Sequence, residues 1–123
     1  MRNYELMRNI LKAVEFSDKP LVLLDFAQYG KPEQLRDELI RLKDEGLIEH
    51  NMSWSCGCCD GGEVTAITKE GRAFLRNISN DKVWAIIEST LNKAEIDLSY
   101  PFLKEICDEV VKRYVMSKIP NFD

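Results

Sequence analysis

The stretch LIRLKDEGLIEH, residues 39–50, decides the fold of this 123-residue chain. Leu39 and Leu42 continue an apolar stripe that begins at Leu35, at the spacing of one helix face. Gly46 follows the last turn, where glycine commonly ends a helix, and the next two residues begin an extended segment. A helix that runs through Glu-Gly-Leu-Ile into a strand is typical of a recognition helix that leads into the wing of a winged helix-turn-helix.

The flanking segments predict the other parts of that fold. Residues 3–16 have apolar side chains at helical spacing, and the helix should end before Pro20. Residues 21–29, which begin with LVLLDF, could form a short strand or a short helix, because periodicity does not separate the two. Pro32 suits the first turn of the next helix. The segments LIEHNMSW and EVTAIT bracket a stretch rich in glycine and cysteine and predict a β-hairpin with a long, irregular tip.

Three further helices are predicted after the hairpin, over about 68–78, 80–94 and 99–115. In the last helix, five side chains at helical spacing are expected to face inward: Phe102, Leu103, Ile106, Val110 and Tyr114. The fold class is therefore α+β and mostly α, a winged helix-turn-helix with two additional C-terminal helices. We expect a single domain over 1–123, with the helix-turn-helix core and wing in 1–79 and a helical extension in 80–123.

Composition excludes some functions. Seventeen basic and twenty-one acidic residues give a formal charge of −4, which is unfavourable for gripping nucleic acid over the whole surface. No apolar run approaches the roughly 20 residues that span a bilayer, so no membrane partner is expected. The N-terminal segment mixes charges into its apolar pattern, unlike a signal peptide, so we expect a cytoplasmic protein. In that compartment the four cysteines would be reduced thiols or metal ligands.

Spaced positions along most of the chain resemble a family of small uncharacterised phage and prophage proteins with a YjcQ-like winged-helix relative. The pattern has a Gly-Leu-Ile motif before the wing, an Ile-Thr pair after it, then a glycine, a Phe-Leu pair and a tryptophan. In this chain the matching residues are Gly46, Leu47, Ile48, Ile67, Thr68, Gly71, Phe74, Leu75 and Trp84. The resemblance implies a winged-helix fold and a phage-related origin, but it implies no activity and no catalytic residues. The cysteine-rich wing tip is not part of the pattern.

Charge argues against the usual DNA-binding mode of this fold. Between residues 33 and 45, the predicted recognition helix has three basic and five acidic residues, a balance of 3 − 5 = −2. Its outward face is centred on Glu33, Asp37 and Asp44, which would repel phosphates. The wing has no lysine or arginine between His50 and Val64. Wings that contact DNA commonly do so through such residues.

Seven residues are nevertheless candidates for contact with a partner or with DNA. Arg36 and Arg41 lie on the shoulders of the recognition helix, Ile40 faces outward, and Trp54 precedes the wing tip. Three basic residues at helical spacing follow the wing: Lys69, Arg72 and Arg76. They could form a phosphate-contacting patch, although a solvated helix face is the simpler interpretation.

The stretch SWSCGCCDGG, residues 53–62, leaves several interpretations open. Cys56, Cys58, Cys59 and His50 are candidate zinc ligands, with Asp60 as another possibility, but a second cysteine pair is missing. A thiolate-rich tip could also bind copper(I), form a strained disulfide, or act as a redox sensor. We favour a glycine-rich loop whose thiols are exposed or pack on Trp54, and we expect no cofactor beyond possible zinc.

No arrangement of residues indicates catalysis. The single histidine has no obvious nucleophile beside it, and no P-loop or dinucleotide-binding glycine pattern is found. We therefore expect a non-enzymatic binding module that acts through protein–protein contacts. The alternative is a DNA-binding transcriptional regulator. The partner would be another protein or a second copy of the chain, with a homodimer slightly favoured.

Overall fold

The computed structural model describes residues 2–120, which form five α-helices, one 3₁₀ helix and four short β-strands. The fold is α+β and mostly helical, with the layout of a winged helix, as predicted. The chain groups into two compact units, Arg2–Leu75 and a second that contains residues 76–120. The sequence predicted the boundary between the helix-turn-helix part and the C-terminal helical extension at residues 79 and 80. None of the described helices is long and apolar enough to cross a membrane.

Helix α1 (Tyr4–Phe16) begins the first unit and agrees with the predicted helix. The side chain of Asn3 caps it by accepting a hydrogen bond of 3.0 Å from the backbone N–H of Leu6. After α1, Leu21 makes a single antiparallel bridge to Val64, and a 3₁₀ helix (Leu23–Phe26) follows. The segment for which strand and short helix both remained open thus contains one residue of strand pairing and then a short helix.

Helix α2 (Pro32–Asp44) is the predicted recognition helix. Pro32 occupies its first position, where no intrahelical N–H is needed. Gly46 follows its end with φ of +77°, a left-handed conformation that glycine adopts at little cost. The stripe of Leu35, Leu39 and Leu42 is fully buried. Helix α2 packs against α1, the 3₁₀ helix and the first strand of the wing.

The wing consists of two consecutive two-stranded antiparallel ladders. Strand β1 (Ile48–His50) pairs with β4 (Val64–Ile67), and strand β2 (Ser53–Ser55) pairs with β3 (Cys58–Gly61). Each ladder has one irregularity in register, at Glu49/His50 and at Ser53/Trp54. With the bridge of Leu21, β4 lies between Leu21 and β1, which is the strand arrangement of a winged helix.

A tight connection joins the base of the wing to helix α3 (Lys69–Ile78). The hydroxyl of Thr68 accepts a hydrogen bond of 2.9 Å from the N–H of Gly71 and donates one of 2.6 Å to the carbonyl of Gly46. A Cβ at Gly71 would collide with the carbonyl oxygen of Leu47, so only glycine fits there without a backbone shift. Thr68 therefore caps α3 and fixes its start against the end of α2.

The second unit contains helices α4 (Asp81–Ala94) and α5 (Tyr100–Ser117), which pack on each other. The buried apolar side chains of these two helices are Val83, Trp84, Ile87, Leu91, Leu103 and Cys107. Trp84 is among them, as its helical spacing with Ile87 and Leu91 predicts. The prediction for Phe102 is wrong: its side chain is 61% exposed. Residue 102 is turned about 100° from the buried Leu103, which places it at the solvent side of the helix.

Candidate functional site

The tip of the wing is a regular turn, so the prediction of a long, irregular tip is wrong. Ser55 pairs with Cys58, which leaves only Cys56 and Gly57 between strands β2 and β3. Both have positive φ, 51° and 81° respectively, as a type I′ hairpin turn requires. Sequence reasoning missed it because cysteine is an uncommon residue at the first of these two positions.

The two neighbouring cysteines of β3 face opposite sides of the hairpin, because successive side chains in a strand alternate. Cys58 shares its side with Ser55 and Asp60, and the Ser55 hydroxyl donates a hydrogen bond to the Asp60 carboxylate. Cys59 pairs across the ladder with Trp54 on the other side. All four cysteines of the chain are described, and none is in a disulfide. Opposite orientation is unsuited to a disulfide between neighbours and to joint ligation of one metal ion.

His50 does not join the wing-tip thiols (Cys56, Cys58 and Cys59). Its side chain is buried, and its Nδ1 accepts a hydrogen bond of 3.2 Å from the N–H of Met52. Its Nε2 then carries the proton and donates to the carbonyl of Leu39 at 3.0 Å. Burial lowers the pKa of His50 below its ordinary value. Within residues 2–120, no group of three or more histidine, cysteine, aspartate or glutamate residues could hold a metal ion.

The structure brings two predicted contact residues together. Ile40 is 39% exposed on α2, and it lines a shallow cleft together with Trp54 of β2. The Trp54 ring is half-buried and meets the His50 ring edge-on, with a centroid distance of 5.9 Å. The polar contact of His50 with helix α2 therefore also fixes the position of the Trp54 ring.

The predicted basic candidates are largely engaged within the chain. Arg36 is half-buried, with its Nε 3.0 Å from the Asp37 carboxylate and its Nη1 beside Gly57 at the wing tip. Arg41 is also half-buried and lies 3.5 Å from Glu45. These guanidinium groups extend toward acidic or backbone atoms of the same unit, so less of their positive charge is available to contact a phosphate.

One of the three basic candidates on α3 is also paired within the chain. Lys69, Arg72 and Arg76 are exposed on that helix. The Nε of Arg72 lies 3.0 Å from the carboxylate of Glu15 on α1. The middle charge of the predicted patch is thus compensated, which supports the simpler interpretation of a solvated face.

A buried ion-pair network escaped sequence reasoning. The Arg2 guanidinium binds two carboxylates, at 2.6 Å from Glu38 and 2.7 Å from Glu45. Its side chain is 1% exposed, and that of Glu38 is 6% exposed. Burial raises the pKa of the Glu38 carboxyl, although the charge of Arg2 opposes this. A signal was available, because Glu38 lies between Leu35 and Leu42 on the buried stripe of α2, where an acid needs a basic partner.

This network changes the net charge that α2 presents to a binding partner. Arg2 carries one positive charge and so offsets one of the two negative charges of Glu38 and Glu45 inside the unit. Glu33, Asp37 and Asp44 remain exposed, as predicted. The outward centre of the helix is acidic, but its overall balance is less negative than the sequence suggests.

A second feature missed by sequence reasoning is an apolar groove of about 590 Å³, which we call the wing groove. Its walls are the 3₁₀ helix, the start of α2, and strand β3 with Gly61 at its end and Gly62 after it. Leu24 is 80% exposed and Val22 is 44% exposed on one wall. Asp60 is the one charged side chain among the groove-lining residues of the described chain. The apolar run LVLLDF was the available signal, because one helical turn points side chains in all directions and leaves some of them, here Val22 and Leu24, exposed.

Comparison with known proteins gives one family and no named relative. Neither the curated proteins nor the solved structures contain a significant match to this chain. A family model described as "Hypothetical protein (DUF2513)" matches residues 1–97, which include the first unit, the wing and helix α4. This chain belongs to the DUF2513 family of hypothetical proteins.

Proposed function

We propose that this protein is a non-enzymatic winged-helix binding module that recognises a segment of a protein partner in the wing groove. One observation carries the proposal: the exposed side chains of Leu24 and Val22 form an apolar wall beside Asp60, with no basic residue lining the groove in the described chain. Exposed apolar surface in a concave site favours binding of apolar side chains. A carboxylate at its edge favours a lysine or arginine next to them.

The wing supports a protein partner over DNA. It presents the wing-tip thiols and the acids Asp60 and Glu63 where a DNA-binding wing presents basic side chains. Arg36, which could have supplied a positive charge near the tip, is paired with Asp37. Glu33 and Asp44 face outward from α2, and an acidic helix centre would repel the phosphates of a major groove.

DNA binding is the second candidate function. The observation that favours it is the pairing of Arg2 with Glu38 and Glu45, because its single positive charge offsets one of the two negative charges on the helix that would enter the major groove. The family resemblance supports a winged-helix identity and a phage-related origin, in which both functions are plausible. We also propose a cytoplasmic location, a compartment in which cysteines outside disulfides are usual.

A site-specific cross-linking experiment tests the proposal. A photoreactive phenylalanine analogue at Leu24, expressed in cells of the source organism, should give a discrete protein adduct after irradiation. The same analogue at Ile96, which is 57% exposed outside the wing groove, is the matched control and should not give that adduct. Asp60→Lys should weaken the Leu24 adduct, because it places a positive charge where a basic side chain is expected.

The same cells discriminate between the two functions. Adducts to nucleic acid at Leu24, or salt-sensitive binding of the purified chain to duplex DNA that Arg41→Glu abolishes, would support the regulator instead. Equal adducts at Leu24 and Ile96 would refute recognition through the wing groove.

A further inference from the structure

We infer that the α4–α5 face of the second unit is a self-association surface that binds a second copy of this chain. The two helices form a groove of about 480 Å³, separate from the wing groove. Its floor and walls are mostly apolar, with one acidic and one basic side chain. The residues on which the inference rests are Ile86, Ile106, Glu109, Val110, Arg113 and Tyr114.

Several large apolar side chains of α4 and α5 remain exposed in or near this groove. Ile86 of α4 is 46% exposed inside the groove, and Phe102 and Met116 of α5 are 61% and 59% exposed. At about 100° per residue, Phe102 lies about 40° from Ile106 on the surface of α5. Phe102 therefore extends the apolar face of the groove. Contiguous exposed apolar surface of this kind marks interaction sites.

Charge indicates that the occupant is a second copy. The chain has a formal charge of −4, so two copies repel each other over most of their surfaces. The groove is an exception, because it contains one negative residue, Glu109, and one positive residue, Arg113, which pair within the chain at 3.0 Å. In a two-fold symmetric dimer, each residue that contacts a second one is contacted by it in return. Glu109 of each copy can then face Arg113 of the other.

In the same symmetric dimer, exposed apolar side chains of each copy can lie in the α4–α5 groove of the other. Each copy supplies exposed apolar side chains from α5, including Phe102 and Met116, and each supplies the groove in which they can be buried. A different protein would need an apolar surface with one acid and one base at matching positions, whereas a second copy of this chain already has both, Glu109 and Arg113.

Sedimentation velocity of the full chain, from low micromolar to near-millimolar concentration, tests the inference. The wild-type mass should rise from 14.2 kDa toward twice that value. Ile86→Lys should weaken self-association at least about tenfold, because it buries a charge in the groove. Val115→Lys is the matched control: it is 52% exposed, adds the same charge, and lies about 180° from Ile106 around α5. It should associate like the wild type.

A charge exchange keeps the test decisive if Ile86→Lys perturbs folding. Glu109→Arg and Arg113→Glu should each weaken association, since each places like charges opposite one another in the dimer. The double variant should restore it. A wild type that stays monomeric over the whole range would overturn the inference, and would leave the groove to a different protein. Equal behaviour of the two lysine variants, or a double exchange no better than the single ones, would also overturn it.

Discussion

Replacing Arg2 with methionine should destabilise the Arg2–Leu75 unit by about 3–5 kcal/mol, the usual cost of removing one partner from a buried ion pair. The guanidinium donates to both carboxylates, through Nε and Nη2 to Glu38 and through Nη1 and Nη2 to Glu45. The variant leaves two acids together, one of them 6% exposed and the other 11% exposed. Arg41 remains close to Glu45, so the uncompensated charge is that of Glu38.

Arg72→Met is the matched control for this variant. It removes the same side chain from an ion pair of similar length, 3.0 Å to Glu15, within the same unit. The Arg72 side chain is 47% exposed, and exposed pairs contribute only about 0–1 kcal/mol. Urea denaturation followed by far-UV circular dichroism should therefore lower the midpoint by about 1 M or more for Arg2→Met and by much less for Arg72→Met.

Two further measurements identify the buried charge as the cause. Burial raises the pKa of Glu38, so in the Arg2→Met variant the folded state binds a proton more readily than the unfolded state. Its deficit should shrink as the pH falls. Adding Glu38→Met to Arg2→Met should recover most of the lost stability, because no charge is then left unpaired. Equal midpoints for Arg2→Met and Arg72→Met, or no rescue by the second substitution, would refute the reasoning.

Two other predictions concern His50 and the four cysteines. The folded-state pKa of His50 lies below the ordinary value of 6.5, so at acidic pH the unfolded state binds more protons and the stability of the fold should fall. Urea midpoints at about pH 7.5 and about pH 5.5 measure this loss. It should be absent in His50→Gln, whose amide can still donate to the Leu39 carbonyl. Of the wing-tip thiols, Cys56 and Cys58 are exposed and Cys59 is half-buried, whereas Cys107 is fully buried and its pKa is raised to about 12. Mass spectrometry after brief alkylation should therefore find the wing-tip thiols modified in the folded chain and Cys107 modified only in denaturant. Rapid modification of all four cysteines would contradict the burial of Cys107.

Helices were the part of this fold that the sequence predicted best. Each has either an apolar stripe at helical spacing or a capping residue that defines an end, such as Asn80 before α4, whose side chain accepts from two backbone N–H groups. The Gly-Leu-Ile motif after α2 predicted the start of the wing because Gly46 adopts a left-handed conformation at little cost. These signals are local, so a single segment is sufficient to identify them.

Features that depend on distant residues were not predicted. Arg2 and Glu38 are 36 positions apart, and no periodic pattern connects them. The wing groove combines the 3₁₀ helix with Cys59 and Asp60 of β3, which meet only after the hairpin has folded back toward α2. The wrong prediction for Phe102 has a local cause. It assumed a buried face of α5 wide enough to include Phe102, whereas only Leu103 and Cys107 of that helix are fully buried.

The connection at Thr68 has a consequence for the other proteins that share the spaced pattern. Residues of that pattern hold the scaffold: Gly46 ends α2, Thr68 caps α3, and Gly71 lies against the Leu47 carbonyl. None of the pattern positions lines the wing groove or forms the wing tip. We expect a protein that keeps these residues to share the architecture, whereas under the proposed function the residues that select its partner lie outside the pattern.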